Sequence, residues 1–192
     1  MIAADRFIAT SDDRPAWLSA RRGGVTATQV AKAATPAGFT EALNDLRNPV
    51  EVEDNDFMRF GRENENWIAM WVKGEFGIMP NHWLIAAEDD PRMLSTPDGL
   101  SLDHTLIAEI KTGGKTPTRP PLPHVRQIQW QFRTTGAERC LYAFMPRIDV
   151  GGVFMPGLLE PLTWWVERDE AIITHLETTA LRLLDSDERQ AA

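Results

Sequence analysis

The stretch Ser95–Lys111 reads STPDGLSLDHTLIAEIK, and the interpretation of the whole chain starts from it. Its second part, Thr105–Lys111, is apolar and β-branched enough to predict a strand. Side chains alternate between the two faces of a strand, so Glu109 and Lys111 point to the same side. The stretch therefore predicts an acid and an amine next to each other on one face of a strand.

The pairing of this strand with the preceding residues decides whether a site forms. If Leu100–Leu102 pairs back onto the strand through a tight turn at Asp103–His104, Asp98 lies opposite Glu109. Two carboxylates at such a short distance repel each other unless a cation lies between them, and a divalent metal is the usual cation. The turn contains no glycine and Gly99 is compatible with a bulge, so the pattern is also typical of a plain turn beside a solvated strand.

Composition limits the class of protein. The 192 residues, 43% hydrophobic and 25% charged, suit one globular domain, and we expect a single domain over residues 1–192. No apolar run approaches the roughly 20 residues of a membrane helix. The lone cysteine, Cys140, and the absence of a signal-peptide pattern predict a cytoplasmic protein without a disulfide or a cysteine-rich metal cluster.

Charge is unevenly distributed along the chain. The net charge of −8 argues against binding nucleic acid by bulk attraction. The segment from Lys111 to Arg139 nevertheless contains six Lys and Arg residues and one acid, Glu138. A basic segment directly after an acidic site is what an enzyme acting on phosphodiesters needs, although a solvated loop and helix face would look the same.

A second candidate site follows the first predicted helix, which begins near Asp12–Pro15 and ends at Gly23–Gly24. The glycine pair precedes Thr26 and Thr28 at the start of another helical stretch, where free backbone N–H groups can bind an anion. Arg21 lies beside them and can hold a phosphate through two hydrogen bonds. The same residues are equally typical of a glycine C-cap followed by threonine N-caps.

Two further predicted helices carry polar side chains that can face a cleft. On the helix predicted for Phe57–Phe76, Glu65 lies on an apolar stripe, so it needs a metal or a lysine as partner unless it reaches water at the edge of the stripe. On the helix predicted for Leu122–Thr135, three polar side chains share one face, as on many amphipathic helices: His124, Gln127 and Gln131.

The remaining segments complete an α/β (α+β) pattern. Strands are predicted at Asn81–Ala87, Arg92–Ser95, Cys140–Met145 and Leu162–Glu167, and a closing helix at Asp169–Leu184 followed by a fraying tail after Asp185. The segment Thr35–Asp56 contains Pro36, Gly38 and Pro49 and predicts a loop with at most one helical turn at Glu41–Leu46.

Four blocks of sequence resemble the PD-(D/E)xK nucleases, and within them the phage recombination exonucleases of the lambda exonuclease and YqaJ type. The blocks are WLSARRGGVTAT (residues 17–28), FGRENEN (60–66), TPDGL with EIK (96–100 and 109–111), and HVRQIQ (124–129). The resemblance covers about Trp17–Gln131. It implies a restriction-endonuclease-like core with a central mixed β-sheet flanked by α-helices, and a metal-dependent DNA nuclease.

The resemblance also implies roles for individual residues. Four groups bind Mg²⁺ or Mn²⁺: the side chains of Asp98, Glu109 and Glu65, the last directly or through water, and the backbone carbonyl of Ile110. Lys111 orients or helps to deprotonate the attacking water, and the neighbouring metal ion together with partial desolvation is expected to lower its pKa. Gln127 aligns the site. The residues expected to contact DNA or its 5′-phosphate are Arg21, Thr26, Thr28, Thr96, His124 and Gln131.

The activity implied by the resemblance is 5′-to-3′ exonuclease action on double-stranded DNA ends in phage-type recombination or repair. A single-strand annealing protein as partner, a homo-oligomeric ring trimer, and the host cytoplasm for a phage-encoded enzyme are implied with it. Competing hypotheses are an endonuclease or single-strand-preferring nuclease of the same fold, and a non-catalytic DNA-end-binding module. The chain departs from the family where it has Thr28 and Thr96 instead of serine, and His124 where an aromatic residue is common.

Overall fold

The computed structural model describes residues 1–49 and 54–191. Its helices are α1 (Arg14–Arg21), α2 (Ala27–Ala33), α3 (Pro36–Arg47), α4 (Asp56–Phe76), α5 (Leu122–Thr135) and α6 (Glu170–Ala191). Its strands are β1 (Phe7–Thr10), β2 (Val25–Thr26), β3 (Met79–Pro80), β4 (Trp83–Ala86), β5 (Met93–Ser95), β6 (Gly99–Leu100), β7 (Leu106–Gly113), β8 (Arg139–Val150), β9 (Val153–Pro156) and β10 (Leu162–Glu167). Within these ranges, no helix combines the length and the apolar character needed to cross a lipid bilayer.

The strands form two sheets, and α5 packs against both of them. One sheet has the order β1-β4-β5-β2, and the other has the order β10-β8-β7-β6-β3 with β9 paired to the outer part of β8. In the second sheet β7 and β8 are parallel and the other pairs are antiparallel. A parallel pair needs a crossover connection, which α5 provides. The predicted mixed sheet flanked by helices is therefore confirmed.

The central strand β7 is covered on both faces. On one face Ala108 and Ile110 pack against Ile68 of α4. On the other face Ile107 packs against Ile128 of α5. Because side chains alternate along a strand, the odd-numbered residues of β7 face α5. This arrangement buries Glu109 under α5, on the face opposite to α4.

The predicted pairing of the hairpin is confirmed. Gly99 pairs with Ala108 in antiparallel register, and the same register brings Asp98 opposite Glu109. The partner strand is shorter than predicted, because β6 ends at residue 100. Gly99 lies in the regular pairing instead of a bulge, and a Cβ there would come within 2.9 Å of Ile78 Cγ2. The glycine is needed because the strands and the core approach each other closely here.

The segment Thr35–Asp56, predicted as a loop, contains the helix α3, so this prediction was wrong. Pro36 takes the first helical position, where the missing N–H has no partner to lose. The hydroxyl of Thr35 caps the helix by accepting a hydrogen bond of 3.1 Å from the N–H of Gly38. Residues 50–53 of the predicted loop lie outside the described residues.

Other boundaries differ less. The closing helix α6 continues to Ala191, beyond its predicted end at Leu184, and fraying of the tail after Asp185 stays a prediction. Strand β8 runs well beyond the predicted Cys140–Met145 and carries β9 on its extension. The long helix α4, the helix α5 and the strand β10 lie within a residue of their predicted positions.

Candidate active site

Asp98 directly precedes β6 and lies opposite Glu109 of β7. The N–H of Ile110 donates a hydrogen bond of 2.6 Å to Asp98 Oδ2, and the N–H of Asp98 donates one of 3.0 Å to the carbonyl of Ala108. The N–H and C=O of one strand residue point to the same edge, so the Ile110 carbonyl faces the Asp98 carboxylate. Burial and then the charge of Glu109 raise the pKa of Asp98 well above its usual range, against the opposing effect of Lys111.

Glu109 is held at both carboxylate oxygens. It is fully buried. Its Oε1 accepts hydrogen bonds from Lys111 Nζ and, at 2.5 Å, from Gln127 Nε2. Its Oε2 accepts a hydrogen bond of 2.6 Å from Gln131 Nε2. The two amides lie one turn apart on α5, so the helix fixes the orientation of the carboxylate.

Lys111 points into the site and not into solvent. Burial by itself would lower its pKa, but the charges of Glu109 and Asp98 outweigh burial and raise the pKa above its usual value. The ammonium is ion-paired with Glu109, and the nearby Asp98 carboxylate adds to this stabilisation, so together they outweigh desolvation in the metal-free site. The lowered pKa expected beside a bound metal ion stays a prediction.

Glu65 lies at the exposed side of the same site. Partial loss of hydration raises its pKa, Lys111 opposes this effect and Glu109 adds to it, so the three charges lie near one another. Across residues 1–49 and 54–191, however, no three His, Cys, Asp or Glu side chains are grouped closely enough to hold a metal ion. Asp98 and Glu109 form the inner pair, and a contribution of Glu65 through water stays a prediction.

His124 and Tyr142 adjoin the Glu109 carboxylate. His124 Nδ1 lies 2.7 Å from the hydroxyl of Tyr142, which is fully buried and pairs with Glu109 across the parallel β7–β8 register. Burial and then Lys111 lower the pKa of His124, and burial raises that of Tyr142. Tyr142 was not among the site residues predicted from the sequence, where Cys140–Met145 was predicted only as a strand. One signal could have indicated Tyr142: it is the only tyrosine of the chain, and it lies on the strand predicted next after the strand that carries Glu109 and Lys111.

Arg21 lines a cavity of about 610 Å³ together with Arg14, Arg22 and Thr26. The Asp98 and Glu109 carboxylates are not among the described residues that line it. The N–H and hydroxyl of Thr26 each bond to Gln29 Oε1 at 2.8 Å in a capping box. The capping interpretation is therefore confirmed for Thr26, whose hydroxyl is already engaged.

Three polar side chains, those of Arg21, Trp17 and Thr96, form no ion pair or hydrogen bond with another described side chain. The Arg21 guanidinium is partly buried, lies 4.2 Å above the ring of Trp17 and forms no ion pair with any described carboxylate; burial lowers its pKa. The indole N–H of Trp17 and the hydroxyl of Thr96 are buried without a hydrogen-bond partner in the described chain. Trp17 packs against the cluster of Leu84, Ala86 and Leu94, and Thr96 follows Leu94 by two residues in the chain. Thr28 is exposed on the first turn of α2.

Part of the basic segment after Lys111 is structural. Arg133 pairs with Asp89 and Glu177, and Arg139 pairs with Glu167. These two arginines are therefore neutralised by nearby acids, which favours the interpretation of a solvated, ion-paired surface for this part of the segment.

Comparison with known proteins adds to this geometry. Residues 16–138 match the model of a family described as YqaJ-like viral recombinase domain. No curated protein matches the sequence significantly.

Solved structures of exonucleases are similar over most of the chain. An alkaline exonuclease, LHK-Exo from Laribacter hongkongensis, has 27% identity and a TM-score of 0.73, with 91% of this chain and 92% of that chain covered. LHK-Exo in complex with dAMP matches with 26% identity, the same TM-score and the same coverage. A phage-related exonuclease from Haemophilus somnus 129PT has 12% identity and a TM-score of 0.67, with 88% of this chain and 96% of that chain covered, which shows a shared fold.

Proposed function

The chain belongs to the family of YqaJ-like viral recombinase domains, and from this membership we propose that it is a divalent-metal-dependent exonuclease that degrades double-stranded DNA from its ends in the 5′-to-3′ direction. The observation that carries the proposal is the fixed Glu109 carboxylate, held by Lys111 and two glutamines beside the half-buried Asp98. A protein that only binds DNA ends gains nothing from placing a buried and a half-buried carboxylate side by side, because each loses hydration and repels phosphate.

The donor set fits a divalent cation. The negative charge of Glu109 contributes to the raised pKa of Asp98, and a cation between the two carboxylates would offset this cost. Carboxylate and carbonyl oxygens, with no thiolate or histidine pair, suit Mg²⁺ or Mn²⁺ better than Zn²⁺. We assign Asp98, Glu109 and the carbonyl of Ile110 as the residues that hold the ion, with Glu65 acting through water.

Each residue of the site has a task in hydrolysis. A divalent ion, when bound, lowers the pKa of water and stabilises negative charge on the phosphate. Lys111 points its amine at Glu109 beside the reacting centre, where it acts as a hydrogen-bond donor that orients the attacking water and a phosphate oxygen. Gln127 and Gln131 keep the Glu109 carboxylate from rotating, which preserves the geometry of the site between turnovers.

The group of unpartnered donors around Arg21 supports recognition of a terminal 5′-phosphate. A guanidinium without an acid, an indole N–H and a hydroxyl are all donors, and all three lack acceptors among the described residues. A phosphate supplies several acceptor oxygens and the compensating charge. We assign Arg21 and Thr96 to this role, with Thr28 at the exposed rim. This subsite would make the enzyme start at phosphorylated 5′ ends.

The broader assignments follow from family membership. We propose that residues 1–192 act as one nuclease domain, because α6 packs on α5 and joins one core cluster with α2 and α3. We also propose action in the cytoplasm beside a single-strand annealing protein, and assembly into a homo-oligomeric ring.

The proposal is tested by incubating the protein with linear duplex, closed circular duplex and single-stranded DNA, in Mg²⁺ and in EDTA. Loss of the linear duplex alone, and only in Mg²⁺, is the expected result. Cutting of the circle would support an endonuclease, preferential loss of the single strand a single-strand nuclease, and a gel shift without cleavage a binding module. Glu109→Gln, which keeps the shape of the side chain, should abolish the Mg²⁺-dependent loss.

A further inference from the structure

The side chain of His124 is held by a residue from a different element. α5 carries His124 one turn before Gln127, so the imidazole adjoins the hydrogen bonds that fix Glu109. Tyr142 comes from β8 and stacks on the imidazole with 5.7 Å between ring centres. Trp164 of β10 is the register partner of Tyr142 and packs against it, with 5.9 Å between ring centres. The buried tyrosine ring therefore contacts both the histidine and the neighbouring strand.

The hydrogen bond between these two rings can be formed in two ways. Either the Tyr142 hydroxyl donates to Nδ1 of a histidine protonated at Nε2, or Nδ1–H donates to the hydroxyl oxygen. In the second case the hydroxyl proton needs another acceptor. Among the described residues, the Tyr142 hydroxyl has no hydrogen-bond partner other than His124. The first arrangement therefore satisfies more groups.

We propose that Tyr142 is a positioning residue that donates its hydroxyl hydrogen bond to His124 Nδ1, so that His124 presents Nε2–H to a phosphate oxygen of the bound strand. The inference rests on the proposed nuclease function for its substrate. The state of the histidine ring, however, is a property of the protein alone and can be measured without DNA.

The consequence for catalysis follows from what each ring nitrogen can do. A histidine protonated at Nε2 is a donor on the side away from Tyr142, and it suits an oxygen whose negative charge grows in the transition state. Without the hydroxyl, the two neutral tautomers compete and the ring rotates more freely. Loss of one such orienting hydrogen bond lowers a rate roughly 10-fold.

The direct test is two-bond ¹H–¹⁵N correlation NMR of the metal-free protein. His124→Gln identifies the His124 signals among those of the four histidines. The expected wild-type spectrum has a non-protonated Nδ1 and a protonated Nε2, and Tyr142→Phe should produce a mixture of tautomers. Trp164→Phe is the packing control, because it disturbs the support of Tyr142 without removing the hydroxyl, and it should leave the tautomer unchanged.

Kinetics on linear duplex supply the second test. Tyr142→Phe should lower kcat roughly 10-fold with little change in KM, and in a His124→Ala background it should change kcat by less than about twofold, because it acts through His124. A wild-type His124 protonated at Nδ1, or an equal loss from Tyr142→Phe in both backgrounds, overturns the proposal. An inactive wild-type protein with the expected tautomer would instead refute the nuclease function and leave the tautomer assignment standing.

Discussion

Replacing Asp98 with asparagine should stabilise the metal-free protein while abolishing its activity. In the folded state the Asp98 carboxylate is disfavoured by burial and by Glu109. Asparagine keeps an oxygen that accepts the 2.6 Å hydrogen bond from Ile110 N–H and removes the charge. Relief of an incompletely compensated buried charge is worth about 1–2 kcal/mol, which for a chain of this size raises Tm by roughly 2–8 °C.

The pH dependence of this difference has a definite sign. Because the pKa of Asp98 is higher in the folded than in the unfolded protein, the wild type binds more protons when folded and loses stability as pH rises through that range. Asparagine does not titrate. The two proteins should therefore have the same stability in acid, below the ordinary aspartate pKa of about 3.9, and differ most at neutral and alkaline pH.

Adding a divalent ion should make the wild type more stable than Asp98→Asn. Mg²⁺ or Mn²⁺ at about 100 times its dissociation constant stabilises a binding-competent protein by about 2.7 kcal/mol. The wild type should gain this amount and Asp98→Asn almost none, because a ligand is missing. The assay is thermal unfolding followed by circular dichroism in EDTA and in Mn²⁺, across a range of pH.

Asp103→Asn is the matched control in the same hairpin. Hydrogen bonds, first from the Ser101 hydroxyl and then from the Thr105 N–H, lower the pKa of Asp103 to about 2. Its contribution to stability is therefore present at neutral pH and lost as pH falls towards 2, the opposite sign to Asp98. Asp103→Asn should lower Tm at neutral pH and respond normally to Mn²⁺. If Asp98→Asn also lowers Tm in EDTA, or gains as much from Mn²⁺ as the wild type, the electrostatic reasoning is wrong.

Three further predictions concern other parts of the molecule. Lys111→Met should reduce cleavage of linear duplex by roughly 10²–10³-fold and leave Mn²⁺-dependent DNA binding in a gel shift, because a transition-state donor is lost; cleavage within a few-fold of wild type would contradict this role. Arg21→Gln should lower the rate on 5′-phosphorylated ends roughly 10-fold or more relative to 5′-hydroxyl ends, whereas Arg14→Gln on the same helix should not discriminate between them; an equal response to both ends would remove the phosphate assignment. Gly24→Ala should destabilise the fold by about 2–4 kcal/mol in urea unfolding, because a Cβ would lie 1.9 Å from the Arg92 carbonyl oxygen. Gly74→Ala, in an open part of α4 with no atom within 4 Å of the added Cβ, should stabilise it by about 0.5–1 kcal/mol, and equal effects would contradict the packing around residue 24.

The pairing of the catalytic hairpin could be predicted because it depends on a period of two. Once β7 is recognised from its alternation, Glu109 and Lys111 must share a face, and the short distance to Asp98 leaves few registers. The helices α4 and α5 were equally accessible because each has a continuous apolar stripe and a glycine at its C-terminus. These signals are local, so they can be recognised without knowledge of the tertiary structure.

What could not be predicted depends on contacts between distant segments. The helix α3 was missed because Pro36 and Gly38 look like loop residues, although the proline takes the first helical position and a Cβ at Gly38 would lie 2.0 Å from the Lys32 carbonyl oxygen. The sign of the Lys111 pKa shift depends on two carboxylates whose distance the sequence does not contain. Tyr142 was missed for the same reason, because only the parallel pairing of β8 with β7 brings it beside Glu109.

We expect Asp98 and Glu109 together to hold the divalent ion on which the proposed nuclease activity depends. Anomalous scattering from crystals soaked in Mn²⁺ tests it most directly. We expect a peak about 2.1 Å from oxygens of both carboxylates and of the Ile110 carbonyl. This peak should be absent from crystals of Glu109→Gln. A strong peak elsewhere with none between Asp98 and Glu109, or an unchanged peak in the variant, would contradict it.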